Sequence, residues 1–558
     1  MNKIHAVLAC LLLGWSMTSC YKDLGNYDYR DINELSVDSI SAFYTIDQLD
    51  TLKIDPTFAG TQYADTSLFD YVWEIAGDTV STRPYLRYRV TNVPGDKYCR
   101  FIVTDKATGV KEYTYFNTSV VNATAVDGIL LLGDYDGHAE LSFKRLDKEG
   151  YFQPNIFYGL NGEYLGTVPQ SLSQLFSYEA SDETDLYGLC VRTDNEVKKV
   201  SYKSFLQDSV NPTYTGSYFT SIITPGVYPD FGSLMDIDLF ESKIEDWTMG
   251  SSVNKTSNQY FIDNGKYFMV SQNSVYGGSK GQSYLREPES GGKLSPFFMY
   301  VSEKENPQNQ VIIPGVIYSI SLGYLLSDYI ILFDETNHKF VYGSKFGQTA
   351  FKEIEEFADA DFSSFVPVWG TPNRNVNNPF VIMSDGSNFR AIVLQAPQQA
   401  NDAVTFSIIS DLTIPEGQMN EYTNFYCYCK DEYFYFTTGN SLYCANIQAM
   451  IDGSWNANKI CDLTEFGYEN QATINCFDFT RSGKYIALGI STDGKQKGET
   501  SSTLNADVLL LAIDKTSNSV SLYQKYEKVG GTPTDIIFKY LSHFREGKDE
   551  NGTFRDWL

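Results

Sequence analysis

"ILLLGDYDGHAELSFKR", Ile129–Arg145, is the stretch that decides the fold. A run of apolar residues leads into a polar turn centred on Asp136-Gly137, and an alternating apolar/polar run leads out of it. Asp-Gly between two such runs is a strong short-range signal for a β-hairpin. The layout returns in "LCVRTDNEVKKVSY", "YFIDNGKYFMVS", "ILFDETNHKFVYGS", "FVIMSDGSNFRAIVL", "YFTTGNSLYCANI" and "DFTRSGKYIALGIS". Their turn markers Gly137, Asn195, Gly265, Asn337, Gly386, Gly439 and Gly483 fall 44 to 72 residues apart. An eighth hairpin, "LLLAIDKTSNSVSLYQKY", turns near Ser517. Hairpins recurring at that spacing are what the blades of a β-propeller produce. Residues 123–545 therefore read as a propeller of seven blades, with eight shorter blades as a variant. Ordinary hairpins in stacked sandwiches are the competing architecture.

Outward from that stretch the chain stays all-β. Aromatics make up 15% of its 558 residues, with 41 Tyr and 36 Phe. Only "PQSLSQLFSYEA" and "FKEIEEFADADF" read as short helices, both on connections. Before the propeller, residues 35–122 read as one immunoglobulin-like β-sandwich. "FDYVWEIAGDTVS" gives a strand, a turn at Gly77-Asp78 and a second strand. "KYCRFIVTDKATGVKEYTYFNTSVV" gives two more, joined around Ala107-Thr108-Gly109. Trp73 on a middle strand is then expected in the core between the sheets.

Composition narrows the partners. A net charge of −27 argues against nucleic acid or anionic lipid as the main one. Cysteines are sparse and form no CxxC pair. Cys427 and Cys429 alternate along one strand and read as core thiols, although a disulfide within Cys427–Cys476 stays open for an exported protein. Past the leader only His138, His338 and His543 remain, too few for a zinc site at metal spacing. No cofactor is expected.

The first 19 residues have the layout of a secretory signal: Lys3 and His5, then an apolar run from Ala6 to Trp15 too short to span a bilayer. Thr18-Ser19-Cys20 resembles the end of a bacterial lipoprotein signal, which implies that acyl chains anchor Cys20. Tyr21, where Asp would hold an inner-membrane lipoprotein, resembles the outer-membrane pattern, and Lys22-Asp23 looks like part of a surface-export signal. Residues 20–34 are then the lipidated cysteine and its tether, and 546–558 a polar C-terminal tail. "GNYDY" at Gly25–Tyr29, "INE" at Ile32–Glu34, the Trp73 strand and the "VTDKATG" hairpin together resemble the PKD-like lipoproteins of Bacteroidota. The resemblance covers about residues 17 to 145. It implies an outer-membrane, surface-facing accessory protein of a SusC/SusD-like importer of glycans or peptides. Transporter subunits and sister lipoproteins are its expected partners, and catalysis is not expected. The alternatives are a propeller-type glycan hydrolase or lyase, or a scaffold that only holds a transporter complex together.

Among chemical motifs, "GGSKG" at Gly277–Gly281 matches G-x-S-x-G, but no helix pattern follows Ser279 to form a nucleophile elbow. Asp134, Asp136 and Glu140 supply oxygens of the kind Ca²⁺ takes, at a spacing that Gly137 breaks. The most ligand-like segment is "VPVWGTPNRNVNNPF", Val366–Phe380. There Trp369 offers a flat face to a sugar ring, and Asn373, Arg374, Asn375 and Asn377 offer donors for its hydroxyl rim. The alternative for Trp369 is a place in the core. Trp247 and Tyr276 are lesser candidates of the same kind.

Overall fold

The computed structural model describes residues 32–147, 149–150, 152–176, 186–193, 197–201, 204–206, 238–241, 256–263, 266–273, 282–286, 288–293, 299–302, 328–344, 350–370, 378, 380–400, 403–427, 432–480, 483–514 and 516–539. Two compact units separate. The first lies within the chain up to Val121, and the second runs from Asn122 onward and also takes Asp47–Leu49 and Thr91–Val93.

Among its described residues the first unit has nine strands: β1 (Leu35–Asp38), β2 (Phe43–Asp47), β3 (Thr51–Ile54), β4 (Thr57–Gly60), β5 (Phe69–Ile75), β6 (Asp78–Ser81), β7 (Leu86–Arg89), β8 (Gly95–Asp105) and β9 (Lys111–Val121). They form a five-stranded sheet, β2-β9-β8-β5-β6, and the pairs β1-β4 and β3-β7. Period-2 alternation in β5 points Phe69, Tyr71, Trp73 and Ile75 inward, where they share one core with Leu52 and Ile54 of β3 and Leu86 of β7. Trp73 is fully buried, its ring 3.9 Å from that of Phe101, and its Nε1–H donates to the Arg83 carbonyl at 2.9 Å. That is the structural role expected from the sequence.

The second unit is a succession of sheets. The first contains β10 (Gly128–Tyr135) and β11 (His138–Arg145); the second β12 (Pro169–Phe176), β13 (Leu186–Thr193) and β14 (Val197–Val200). The third holds β15 (Asp238–Glu241), β16 (Thr256–Asp263), β17 (Lys266–Asn273) and β18 (Gln282–Arg286); the fourth β19 (Met299–Ser302), β20 (Asp328–Asp334), β21 (Lys339–Ser344) and β22 (Lys352–Glu353). In the fifth are β23 (Val366–Gly370), β24 (Phe380–Ser384), β25 (Phe389–Ala400) and β26 (Ala403–Ile414); in the sixth β27 (Asn424–Cys427), β28 (Tyr433–Thr438), β29 (Ser441–Asn446) and β30 (Ala457–Asp462). The seventh holds β31 (Thr473–Phe479), β32 (Tyr485–Ser491), β33 (Ala506–Asp514) and β34 (Ser519–Gly530). Within each sheet the strands follow chain order, and the last described strand, β35 (Thr532–Lys539), returns to pair with β10. Apolar clusters join the first sheet to the second, the fourth to the fifth, the fifth to the sixth, the sixth to the seventh, and the seventh back to the first. Sheets packed face to face and closed by the last described strand are a β-propeller, with seven sheets among the described residues.

Three expectations are corrected. "PQSLSQLF" is strand β12, not a helix: its i, i+3, i+4 apolar spacing imitates a helix, but pairing with β13 prevails and Leu172 enters the core between sheets. "FKEIEEF" gives a two-residue strand and one 3-10 turn, Glu355–Phe357. Phe351, Ile354 and Phe357, buried at steps of three, suit that tighter turn. The hairpin at Ser517 starts no eighth blade, because β33 and β34 complete the seventh sheet. Gly483 marks the first hairpin of that sheet, whereas Asn337, Gly386 and Gly439 sit on the middle hairpins of four-stranded sheets. Two short helices went unanticipated, α1 (Ile156–Asn161) and α2 (Ile447–Ile451).

Turn chemistry sets the hairpins. Asp136 and Gly137 both have positive φ, 53° and 81°, as the tight turn between β10 and β11 requires. Asp334 and Asp385 each cap their own turn, accepting from two backbone N–H groups and from the side-chain amide of Asn337 or Asn388 three residues on. Ring closure has its own devices. A Cβ at Gly531 would lie 2.0 Å from the Asp134 carbonyl oxygen, so only glycine lets the chain pass there. Lys539, fully buried at the end of β35, donates to the carbonyls of Thr124 and Val126 and lies 5.2 Å from the rings of both Phe143 and Phe205.

Candidate functional site

Of the stacking residues expected from sequence, Trp369 is described and lies on β23, half-buried. Its ring is 5.1 Å from Phe434, 5.5 Å from Phe380 and 6.0 Å from Phe425, within the aromatic packing between the fifth and sixth sheets. Asn373, Arg374, Asn375 and Asn377 lie outside the described residues, as do Trp247, Tyr276, Ser279 and Cys20.

The acidic residues of the first hairpin are engaged locally. Asp134 is buried and accepts from Gly137 N–H at 3.1 Å, and burial raises its pKa. Glu140, also buried, accepts from Tyr158 N–H at the start of α1 at 3.4 Å, while its Oε1 has no partner. Burial pushes its carboxyl up to about 7. Nearby in sequence, Tyr164 stacks on both His138 and Tyr158, at 3.9 and 4.5 Å. Among the described residues no group of three or more His, Cys, Asp or Glu side chains could hold a metal ion. Cys99, Cys427, Cys444, Cys461 and Cys476 are buried free thiols, and burial pushes Cys444 up to about 11 and Cys461 to about 12.

A different group of ligand-like side chains stands on the sandwich. β8 and β9 are 11-residue strands whose inward phase, Cys99, Phe101, Val103, Phe116 and Val120, fills the core. The opposite phase carries Tyr98, Arg100, Tyr113, Tyr115 and Asn117 outward. Register places Tyr98 opposite Asn117, Arg100 opposite Tyr115 and Ile102 opposite Tyr113. Tyr98, Tyr113 and Tyr115 are 62%, 40% and 53% exposed. The Tyr113 and Tyr115 rings are parallel within 9° at 6.2 Å, and Tyr98 lies 5.8 Å from Tyr115. Arg100 Nε donates to Glu74 Oε2 on β5, so the charge in the middle of the face is paired. Phe43, on β2 beside β9, adds a fourth exposed ring. The signal for this face was in the sequence: "YCRF" and "YTYFN" put tyrosines in one phase and Cys99, Phe101 and Phe116 in the other.

Residues 20–169 match the model of the PKD-like family. No curated protein matches the chain. Among solved structures, the chain is similar to a quinonprotein alcohol dehydrogenase-like protein from Bacteroides thetaiotaomicron, at 12% identity and TM-score 0.38, covering 89% of this chain and 97% of that one. It is also similar to the Nup133 β-propeller domain of Vanderwaltozyma polyspora, at 9% identity and TM-score 0.26, covering 72% and 89%. A third likeness is to a mutant NanB sialidase from Streptococcus pneumoniae, at 9% identity and TM-score 0.23, covering 85% and 79%. All three scores are below 0.5, so the architecture rests on the sheet order above.

Proposed function

We propose that this is a non-catalytic binding protein of the bacterial cell surface, anchored to the outer membrane through acyl chains on Cys20 and serving a SusC/SusD-like importer of glycans or peptides. The observation that carries the reading is the run of matched sequence from Cys20 through the tether and sandwich to the first strands of the propeller. In this reading the leader ends where the family match begins. Several acyl chains bury many methylenes, each contributing about 0.8 kcal/mol, which makes the attachment stable. The exposed tyrosine face of the sandwich supports binding, since it offers aromatic contact area around a paired Arg100 and Glu74.

The test is fractionation and pull-down from solubilised outer membranes. The wild-type protein is expected in the outer-membrane fraction as an acylated species that co-purifies with a transporter, and Cys20→Ala is expected to leave that fraction. An acylated, membrane-bound Cys20→Ala protein would overturn the anchor. A wild-type protein that never co-purifies with a transporter would overturn the importer role, and turnover of a glycan or peptide would overturn the non-catalytic reading.

A further inference from the structure

We propose that the outward face of β8 and β9 is a binding platform for a neutral glycan, with Tyr98, Tyr113 and Tyr115 stacking on sugar rings and Arg100, Glu74 and Asn117 bonding their hydroxyl rims. This deepens the surface-binding reading and rests on it. The rings are exposed by the strand period itself: the inward phase is filled by Phe101, Phe116 and their neighbours, so β8 and β9 hold their tyrosines in solvent. Exposed aromatic clusters of this kind mark interaction sites more often than solitary surface rings do.

Three observations select the occupant. Tyr113 and Tyr115 hold parallel rings 6.2 Å apart and Tyr98 lies 5.8 Å from Tyr115, so three exposed rings stand together on one face. Sugar rings present apolar C–H faces and polar rims, and the tyrosine rings have their hydroxyls, Asn117 and the Arg100–Glu74 pair around them. Charge is the second observation. The Arg100–Glu74 pair cancels locally and the whole protein carries −27, so an acidic polymer would meet repulsion and no free cation at the centre of the face. Area is the third. At their exposures the three tyrosines and Phe43 together offer about 400 Å², taking about 200 Å² per ring system, well short of the ~800 Å² each partner buries in a stable protein–protein interface. A short oligosaccharide needs no more than that.

Cross-strand tyrosine contacts also stabilise a sheet, so the test must separate binding from folding. Full-length protein is run in native gels cast with amylopectin, laminarin, galactomannan, xyloglucan or levan, with polygalacturonate as the acidic probe. At least one neutral polysaccharide is expected to retard the wild type. The double variant Tyr98→Ala/Tyr115→Ala is expected to lose affinity about tenfold or more, since two ring contacts are removed. Tyr115→Phe, which keeps the ring, is expected to retain most of it. Melting curves accompany each variant, and single Tyr→Ser changes replace the double variant if it does not fold. Retardation by none of the neutral probes, retardation by polygalacturonate alone, or unchanged retardation of a folded tyrosine variant would each overturn the platform. None of these results touches co-purification with a transporter, so the platform and the importer role fail separately.

Discussion

Lys539 offers the sharpest test of how the propeller closes. Its ammonium lies fully buried where β35 meets β10, and burial pulls its pKa from 10.5 down to about 7, opposed by the nearby Asp127 carboxylate. The linkage has a definite sign. Between about pH 7 and pH 10.5 the unfolded chain holds a proton that the folded chain has released, so stability rises with pH across that window. Below about 7 both states carry the charge, and the full cost of burying it is present. At about 1.4 kcal/mol per unit, a shift of this size amounts to something on the order of 5 kcal/mol. Lys539→Met keeps the shape of the stem and removes the titration. It also strips the Thr124 and Val126 carbonyls of a donor, a cost of about 1–3 kcal/mol per group that does not vary with pH.

The measurement is a series of urea midpoints, followed by tryptophan fluorescence from pH 7 to pH 10 under reducing conditions, for wild type and Lys539→Met. Subtracting the two profiles cancels the tyrosines and thiols that titrate in the same range. The wild type is expected to gain on the variant by about 1.4 kcal/mol for each pH unit. Two carbonyls and two rings at 5.2 Å favour the ammonium, and cation–π contacts are worth about 2 kcal/mol when desolvated. Should those contacts outweigh desolvation, the difference profile would be flat through pH 9. A flat or falling profile refutes the reasoning that burial dominates at Lys539.

Glu140 titrates with the opposite sign. Its carboxyl, raised to about 7, keeps its proton in the folded protein while the unfolded chain loses it near 4.5, so stability falls as pH rises from about 4.5 to about 7. Glu140→Gln should abolish a fall of about 3 kcal/mol over that window, measured by the same midpoints, and an unchanged slope would show that Glu140 ionises normally. For the cysteines, alkylation of the native protein followed by peptide mapping should leave Cys99, Cys427, Cys444, Cys461 and Cys476 unmodified, and reaction should appear only with denaturant. A disulfide-linked peptide pair among them, or rapid native labelling, would contradict the buried thiols.

The hairpins were legible because their information is local. An Asp-Gly or Asp-x-x-Asn turn between apolar runs states its own geometry, and Asp136-Gly137, Asp334–Asn337 and Asp385–Asn388 adopt it. Sheet membership is not local in this way. Nothing near Ser517 says whether a hairpin begins a blade or completes one; that depends on β31–β32 and on the return of β35 to a strand some 400 residues earlier. Lys539 is hidden for the same reason. At the end of "TDIIFK" it reads as a solvated strand terminus, and only the placement of Phe143, Phe205 and the 124–126 carbonyls makes it interior. Trp369 is a further case. From sequence it reads as a sugar-stacking residue or a core residue, and only the placement of Phe380, Phe425 and Phe434 shows that one side of its half-buried ring packs between two sheets.

The sandwich shows how one alternation can specify both a core and an exposed face. In β8 and β9 each strand carries two interleaved sets, and a shift of register by one residue would exchange them. Such a slip would expose Phe101 and Phe116 and bury Tyr98, Arg100 and Tyr115, leaving Arg100 without water and drawing it away from Glu74. The core set holds the register through the Trp73–Phe101 stack at 3.9 Å and the Trp73–Phe116 contact at 6.1 Å, both anchored by a tryptophan with no exposed surface. The tyrosine face is therefore held in place by residues that never touch solvent. Changes to its exposed rings should alter what the face binds while the packing around Trp73 keeps the sheet in register.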